Sequence, residues 1–333
     1  MKHVFEGKTI LVTGGCGSIG SEIVKQLLQY NPESIRVFDS SEESHFKLSQ
    51  AVHDKRVRHL IGDIRNIDRV QLAMKGVDIV FHAAALKHVP LCEYNPFEAV
   101  TTNVIGTNNV VHAAIDNNVD KFIGISTDKA VDPVNTMGAT KLLSEKIITN
   151  APLGKSKIKF CCVRFGNVLN SSGSVIPIFK SQIEKGTTIT ITHESMTRFF
   201  MDLPDAVSLV LKAAERVEGG EIFILKMKAL KIVDLAQVMV EELAHKHGKN
   251  PTDFTYKTIG IRPGEKLSES LLTKEEIYHT TEEEDMYVLR NSLLANYGSV
   301  AQKSKPIAPI TSESVELLPK EEIRRIFREK KIV

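Results

Sequence analysis

The sequence predicts an α/β protein, a doubly wound parallel sheet with a smaller C-terminal substrate lobe. Three observations predict it. Short runs rich in valine and isoleucine alternate with segments of helical periodicity through the first half of the chain. These runs are continuously apolar, as strands covered on both faces are. The first of them, "KTILVTGG", passes through glycines directly into "GSEIVKQLLQY", whose apolar residues recur at helical spacing. Alternation of this kind implies parallel strands joined by right-handed helical crossovers.

After "KTILVTGG", the runs "SIRVFDS", "VRHLIGDI", "VDIVFHAA", "KFIGIST" and "KIKFCCVRFGNV" supply five further strands. Residues 1–167 are therefore expected to form a dinucleotide-binding domain. Beyond it the rhythm breaks. "SSGSVIPIF" and "GTTITITHESMTRFFM" read as short strands and loops, while "LPDAVSLVLKAAERV" and "IVDLAQVMVEELAHKHG" read as amphipathic helices. Residues 168–272 are expected to form mostly a substrate-binding lobe interleaved with the first domain. Residues 273–333, which include "KSKPIAPITSESVELLPKEE", read as a loosely packed extension with a short terminal helix.

The chain has 333 residues, enough for one large domain and a smaller lobe. With 42% hydrophobic and 25% charged residues it has the balance of an ordinary globule. A formal net charge of +2 gives no bias toward nucleic acid or anionic membranes, and neither is expected as a partner. Cys16, Cys92, Cys161 and Cys162 show no metal-ligand spacing, and a reducing cytoplasm suits them better than a disulfide framework. No stretch is long and uncharged enough to insert in a bilayer. His245 and His247 read as a solvated helix end, and no metal is assigned.

"TGGCGSIG" sets Gly14, Gly17, Ser18, Ile19 and Gly20 between a strand and a helix. Glycines there permit a tight turn and close approach of backbone to a pyrophosphate, and the helix N-terminus offers free N–H groups. Asp39 ends the second strand about twenty residues further on, where a carboxylate accepts from ribose hydroxyls and repels a 2′-phosphate. The residues after it, "SSEES", hold no cation, which favours NAD as the cofactor. A competing role for Asp39 is to cap the next helix. Asp63 and Ile64 in "GDIRN" lie at the end of the third strand, near an adenine. Ala83 and Ala84 in "HAAA" keep the end of the fourth strand slim beside the cofactor.

Taken together, "TGGCGSIG", "GDIRN", "HAAALKHVP", "TNVIGT", "STDKAVDPVNTMGATK", "RFGNVLNSSGSVIPIF", "MTRFFM" and "IRPGEK" resemble the UDP-N-acetylglucosamine 4,6-dehydratases of the extended short-chain dehydrogenase superfamily, of the polysaccharide biosynthesis type. The resemblance runs from about residue 6 to 272. It implies a Rossmann-type sheet, a UDP-sugar substrate and a homo-oligomer. In this superfamily a tyrosine usually stands four residues before the helical lysine. Met137 stands there, ahead of Lys141. A thioether moves no proton. By the same resemblance, smaller inverting members keep the tyrosine and larger membrane-anchored retaining members carry methionine.

A 4,6-dehydration oxidises carbon 4, removes the carbon 5 proton, expels water from carbon 6 and returns hydride to carbon 6, with NAD regenerated. The resemblance implies Lys129 as base at carbon 5, Asp128 as acid at the carbon 6 oxygen, and Thr127 as hydrogen-bond partner of the 4-oxygen. Lys141 is implied at the nicotinamide ribose. With Met137 inert, a packing element near the sugar, the 4-hydroxyl proton is expected to reach Asp128 through Thr127 or water. Lys129 can be a base only with a lowered pKa, from partial burial or from Lys141. Asn103 is expected to brace the lysine helix. Asn167, Val175 and Ile176 match positions that hold diphosphate and uracil, Arg198 and Arg262 suit phosphate, and Glu265 can accept from ribose hydroxyls. Lys87 and His88 are placed near the sugar. A UDP-sugar 4-epimerase and a non-catalytic NAD or nucleotide-sugar sensor remain alternatives: Met137 is the best argument for the sensor, and the Asp128–Lys129 pair argues against both.

Overall fold

The computed structural model describes residues 1–151, 157–169, 175–186, 188–291, 306–330 and 332. Six parallel strands come first: β1 Thr9–Thr13, β2 Ser34–Asp39, β3 Val57–Ile61, β4 Ile79–His82, β5 Lys121–Ile125 and β6 Lys159–Arg164. They are followed by β7 Asn167–Val168, β8 Ile189–Ile191, β9 Thr197–Met201, β10 Glu221–Leu225, β11 Lys228–Lys231, β12 Tyr256–Thr258, β13 Thr280–Glu282 and β14 Met286–Leu289. The main sheet has the order β13-β14-β10-β6-β5-β4-β1-β2-β3. The direction of winding reverses between β1 and β4, and ligands in such sheets bind beyond the carboxyl ends of the strands at that point. Their last residues, Thr13 and His82, pair directly.

The continuous apolar runs are explained by burial on both faces: Ile10, Leu11 and Val12 of β1 and Val80 and Phe81 of β4 are at most 1% exposed. Two short sheets, β11-β9-β7 and β12-β8, belong to the lobe. Its core is formed by the helices Val175–Lys185, Ile232–Leu243 and Lys320–Glu329 around Phe179, Leu235, Met239 and Phe327. No helix among the described residues is long and apolar enough to cross a membrane.

Two expectations are corrected. The segment read as strand and loop at "GSVIPIF" is helical from Val175, with Ile176, Phe179 and Ile183 buried at helical spacing. A short apolar run cannot distinguish the two periods, and Pro177 is tolerated in a first helical turn. Gly173 and Ser174 of that motif lie outside the described residues. The strand β10 joins the main sheet parallel to β6. Finally, residues 273–333 are not loosely packed throughout. Strands β14 and β13 extend the main sheet antiparallel, and the terminal helix buries Ile323 and Phe327 in the lobe.

A buried charge cluster ties the C-terminal segment to the sheet. Arg164 at the end of β6 is 1% exposed and meets Glu145 at 2.7 Å and Glu276 at 2.9 Å. Burial alone would lower its pKa, but the two carboxylates raise it. Removing one partner of such a cluster leaves uncompensated buried charge. Arg164→Met should therefore lose about 3–5 kcal/mol of stability in denaturant unfolding at neutral pH. A loss under about 1 kcal/mol would show that the cluster is dispensable.

Candidate active site

A cleft of about 980 Å³ lies beyond the carboxyl ends of β1, β4, β5 and β6, between the sheet and the lobe. Gly14, Gly17, Ser18, Ile19, Gly20, Asp39, Asp63, Ile64, Ala83, Ala84 and Lys141 all border it. So do Thr127, Lys129, Met137, Lys87, His88, Asn167, Val175, Arg198, Arg262 and Glu265. Two expected residues do not. Ile176 is fully buried in the lobe core, because it sits on the inward face of a helix and not on a loop. Asp128 is also fully buried, behind Thr127 and Lys129.

The glycines of the first turn have different causes. A Cβ on Gly20 would lie 2.2 Å from Gly14 O, and one on Gly14, at φ +63°, would lie 2.6 Å from Ala84 N. Both are demanded by packing of the turn. Gly17 is exposed at the cleft, and a Cβ there would meet only Gly14 O, at 3.3 Å. It also starts the helix Ser18–Leu28, whose first turn borders the cleft and has no side-chain cap from Gly17. Asp39 steadies this turn: Cys16 N–H donates to Oδ2 and Ser41 N–H to Oδ1, each at 3.1 Å. Asp63 borders the cleft while holding Arg65 at 2.6 Å.

Beyond β5 the chain breaks into a single 3₁₀ turn, Asp128–Ala130, capped by Thr127. Asp128 Oδ1 accepts from Thr127 Oγ1 and from Lys129 Nζ, each at 2.9 Å. Its Oδ2 is buried with no hydrogen-bond partner among the described residues. Lys129 Nζ also lies 3.5 Å from Glu269 Oε1. Burial lowers the Lys129 pKa, but Asp128 and Glu269 outweigh it and the net shift is upward. This reverses the expected lowering. Burial does lower the pKa of Lys141, whose Nζ donates to Ile125 O at 2.7 Å.

Asn103 braces this assembly with its side chain. Its carboxamide accepts from Leu86 N–H at 2.8 Å and donates to Leu86 O at 3.0 Å and to Thr140 Oγ1 at 2.9 Å. It lies in a π-helical stretch, Val100–Gly106, and Ser144 Oγ donates to its carbonyl. The end of β4 is thereby joined to the helix Thr136–Asn150, which carries Met137 and Lys141. Met137 is 3% exposed and packs with Cys92 and Ala99.

On the lobe side, Arg198 does not offer a free fork to phosphate. Its two terminal nitrogens donate to the carbonyls of Thr197, Leu267 and Lys266, and its Nε is 3.8 Å from Glu269. Arg262 stays exposed, 3.8 Å from Glu265. Glu265 Oε2 and Asn167 Oδ1 are buried acceptors with no hydrogen-bond partner among the described residues. Glu269, four residues past Glu265, escaped the sequence reading. It lies outside any regular element, so no periodicity marks it, and only tertiary packing brings it to Lys129. His245–His247 is an exposed 3₁₀ turn after the helix Ile232–Leu243.

A family model described as polysaccharide biosynthesis protein matches residues 10–291. A protein of Methanocaldococcus jannaschii named as an uncharacterized membrane protein is 54% identical over 99% of this chain and 98% of its own length. A Campylobacter jejuni protein named UDP-N-acetylglucosamine 4,6-dehydratase (inverting) is 43% identical over 87% of this chain and 85% of its own. A Rickettsia rickettsii protein named UDP-glucose 4-epimerase is 40% identical over 97% and 96%. Among solved structures, Pen from Bacillus thuringiensis superposes with a TM-score of 0.92 at 42% identity, covering 99% of both chains. The fold alone is shared with DesIV, a dTDP-glucose 4,6-dehydratase from Streptomyces venezuelae solved with NAD and TYD, at a TM-score of 0.70 and 21% identity over 97% of this chain and 98% of that one. The chain belongs to the polysaccharide biosynthesis protein family, within the nucleotide-sugar-modifying short-chain dehydrogenases.

Proposed function

We propose that this protein is an NAD-dependent nucleotide-sugar 4,6-dehydratase that converts UDP-N-acetylglucosamine to a UDP-2-acetamido-2,6-dideoxy-4-ketohexose. The observation that carries the reading is the Thr127–Asp128–Lys129 cluster beside a retained Lys141, with Met137 where a proton-carrying tyrosine would stand. The name of the Campylobacter jejuni relative supports it.

The residues present suit a dinucleotide: a bare backbone at Gly17, an uncapped helix N-terminus, and an acidic Asp39 with no adjacent cation. Bound there, NAD supplies the hydride acceptor for carbon 4 and the donor for carbon 6. Ile125 O takes one N–H of Lys141, leaving the others for the nicotinamide ribose. Lys87, Asn167, Val175, Arg262 and Glu265 hold the UDP-sugar, and the buried acceptors on Asn167 and Glu265 suit hydroxyl and N–H donors of the ligand. Arg198 instead anchors the segment that leads to Glu269.

Asp128 acts through Thr127. As the 4-hydroxyl gives its proton to Thr127 Oγ1, the threonine proton passes 2.9 Å to Asp128 Oδ1. The same path returns the proton to the departing carbon 6 hydroxyl. Lys129, largely buried but bordering the cleft, is the base at carbon 5. The Rickettsia relative's name favours a 4-epimerase as the second reading. An epimerase would have no use for the carboxylate–lysine pair, and it leaves the mass of the sugar nucleotide unchanged.

Two outcomes follow. Purified protein should carry NAD and convert UDP-N-acetylglucosamine to a product lighter by one water, read by mass spectrometry. Recovery of mainly NADP would contradict the cofactor, and an unchanged product mass would contradict the dehydratase. Asp128→Asn should lower kcat by at least about 100-fold, as loss of a general acid–base group does. Met137→Ala, which removes only packing, should lower it by less than about 10-fold. Equal losses in the two variants would sink the assignment of the proton path to Asp128.

A further inference from the structure

We infer that Glu269 accepts the proton that Lys129 must lose to become a base, so that the lysine works between two carboxylates with separate duties. The inference rests on the dehydratase reading above.

Four charged groups meet here. Lys129 Nζ is 2.9 Å from Asp128 Oδ1 and 3.5 Å from Glu269 Oε1, and Arg198 Nε is 3.8 Å from that same Glu269 oxygen. Asp128 rests on the turn of Lys129 itself, whereas Glu269 and Arg198 reach the lysine from the lobe. Arg262, Glu265 and Lys87 border the same cleft.

Glu269 is held very differently from a structural carboxylate. Glu145, also buried, receives hydrogen bonds from Arg164 on both oxygens, at 3.0 and 2.7 Å. Glu269 is 3% exposed, yet among the described residues its Oε2 has no hydrogen-bond partner and its Oε1 meets cations only beyond ordinary hydrogen-bond distance. An under-satisfied buried carboxylate is costly and points to a functional use. Its backbone, by contrast, is fixed. Glu269 N–H donates to Ser312 Oγ at 3.0 Å, and Ser312 N–H donates to Glu269 O at 2.9 Å.

Proton accounting assigns the role. Asp128 must be ionised at the start to receive the 4-hydroxyl proton, and it must keep that proton until carbon 6 loses its hydroxyl. Lys129 must be a neutral amine when the carbon 5 proton leaves. At rest it is an ammonium between two carboxylates. Its proton cannot go to Asp128 without blocking the first step, and Glu269 is the other carboxylate in contact with Nζ. Transfer from Nζ to Oε1 turns an ion pair into a neutral amine and a neutral acid, with no change in net charge. The amine takes the carbon 5 proton and returns it to carbon 5 on reprotonation. The proton on Glu269 then goes back to Lys129. Glu269 touches no reacting atom in this scheme; it positions and charges the residue that does.

The test is the pH profile of kcat for the full-length wild type, Glu269→Gln and Glu269→Asp, with UDP-N-acetylglucosamine as substrate. Wild type should be nearly flat around neutrality, because the proton never leaves the pair. Glu269→Gln should lose about 100-fold in kcat or more, with KM changed by less than about threefold. Its kcat should rise close to tenfold per pH unit, since the lysine proton now leaves to solvent. Glu269→Asp should recover part of the rate and the flat profile. A Glu269→Gln enzyme with kcat near wild type overturns the inference. So does one whose loss is the same at every pH and is not relieved in Glu269→Asp, since that marks a structural role. A wild type that releases no water from the substrate overturns the dehydratase reading, and this inference with it. The first two failures appear only in the variants, so the cases are distinguishable.

Discussion

Asp128 and Lys129 are neighbours in sequence, and their side chains meet at 2.9 Å with the carboxylate shut away from solvent. On a continuing strand two successive side chains would point to opposite faces. They converge because β5 ends at Ile125 and the chain folds into one 3₁₀ turn. Asp128 N–H is held by Phe165 O, just past β6. The backbone around the pair is tight on two sides. A Cβ on Gly138 would lie 2.2 Å from Lys129 O, and one on Gly166 would lie 2.6 Å from the Phe199 side chain and 3.0 Å from Asp128 Oδ2. The glycine after Met137 is thus required by the lysine turn that packs against its helix.

A buried polar layer fixes the ends of β1 and β4. His82 is fully buried, and burial pushes its pKa down to about 3, so it is neutral. Its tautomer is set by its neighbours. Thr107 Oγ1 donates to Asn103 O at 2.6 Å, so it accepts from His82 Nε2 at 2.9 Å. His82 Nδ1 then accepts from Thr13 Oγ1 at 2.7 Å. The chain of bonds links the end of β1, the end of β4 and the π-helical stretch, and Asn103 carries it on to Thr140. The end of β1 that opens the glycine turn, the end of β4 and the Lys141 helix are therefore held by one connected network rather than by separate loops. A preorganised frame of this kind is what a proton relay through a threonine hydroxyl demands.

The sheet was legible because its strands are buried on both faces, and such burial leaves unbroken apolar runs between turn residues. The first turn was legible because its glycines, the following helix and Asp39 stand at fixed spacing. Three things were not. The helix at Val175 hid because its first residues are apolar without a readable period. The strands β13 and β14 hid inside a charged stretch because both are short, and β13, at the sheet edge, leaves Glu282 exposed. Glu269 hid because its partner Lys129 is 140 positions away in sequence. Asp128 was found as a residue but not as a buried one. Sequence shows that an acid precedes Lys129; only the turn geometry shows that Thr127 stands between it and the cleft. Arg198 was likewise found at the cleft, but two of its three carbonyl partners come from residues 266 and 267, which no local pattern announces.

The account's central claim is that the 4-hydroxyl proton leaves through Thr127 to Asp128, with no tyrosine needed. The most direct measurement is the transient appearance of reduced-nicotinamide absorbance in a single turnover, compared between wild type and Thr127→Val at saturating UDP-N-acetylglucosamine. Valine keeps the shape of threonine and removes the hydroxyl. The account predicts that formation of reduced nicotinamide slows by at least about 100-fold while the sugar nucleotide still binds. Formation at the wild-type rate in Thr127→Val would contradict it.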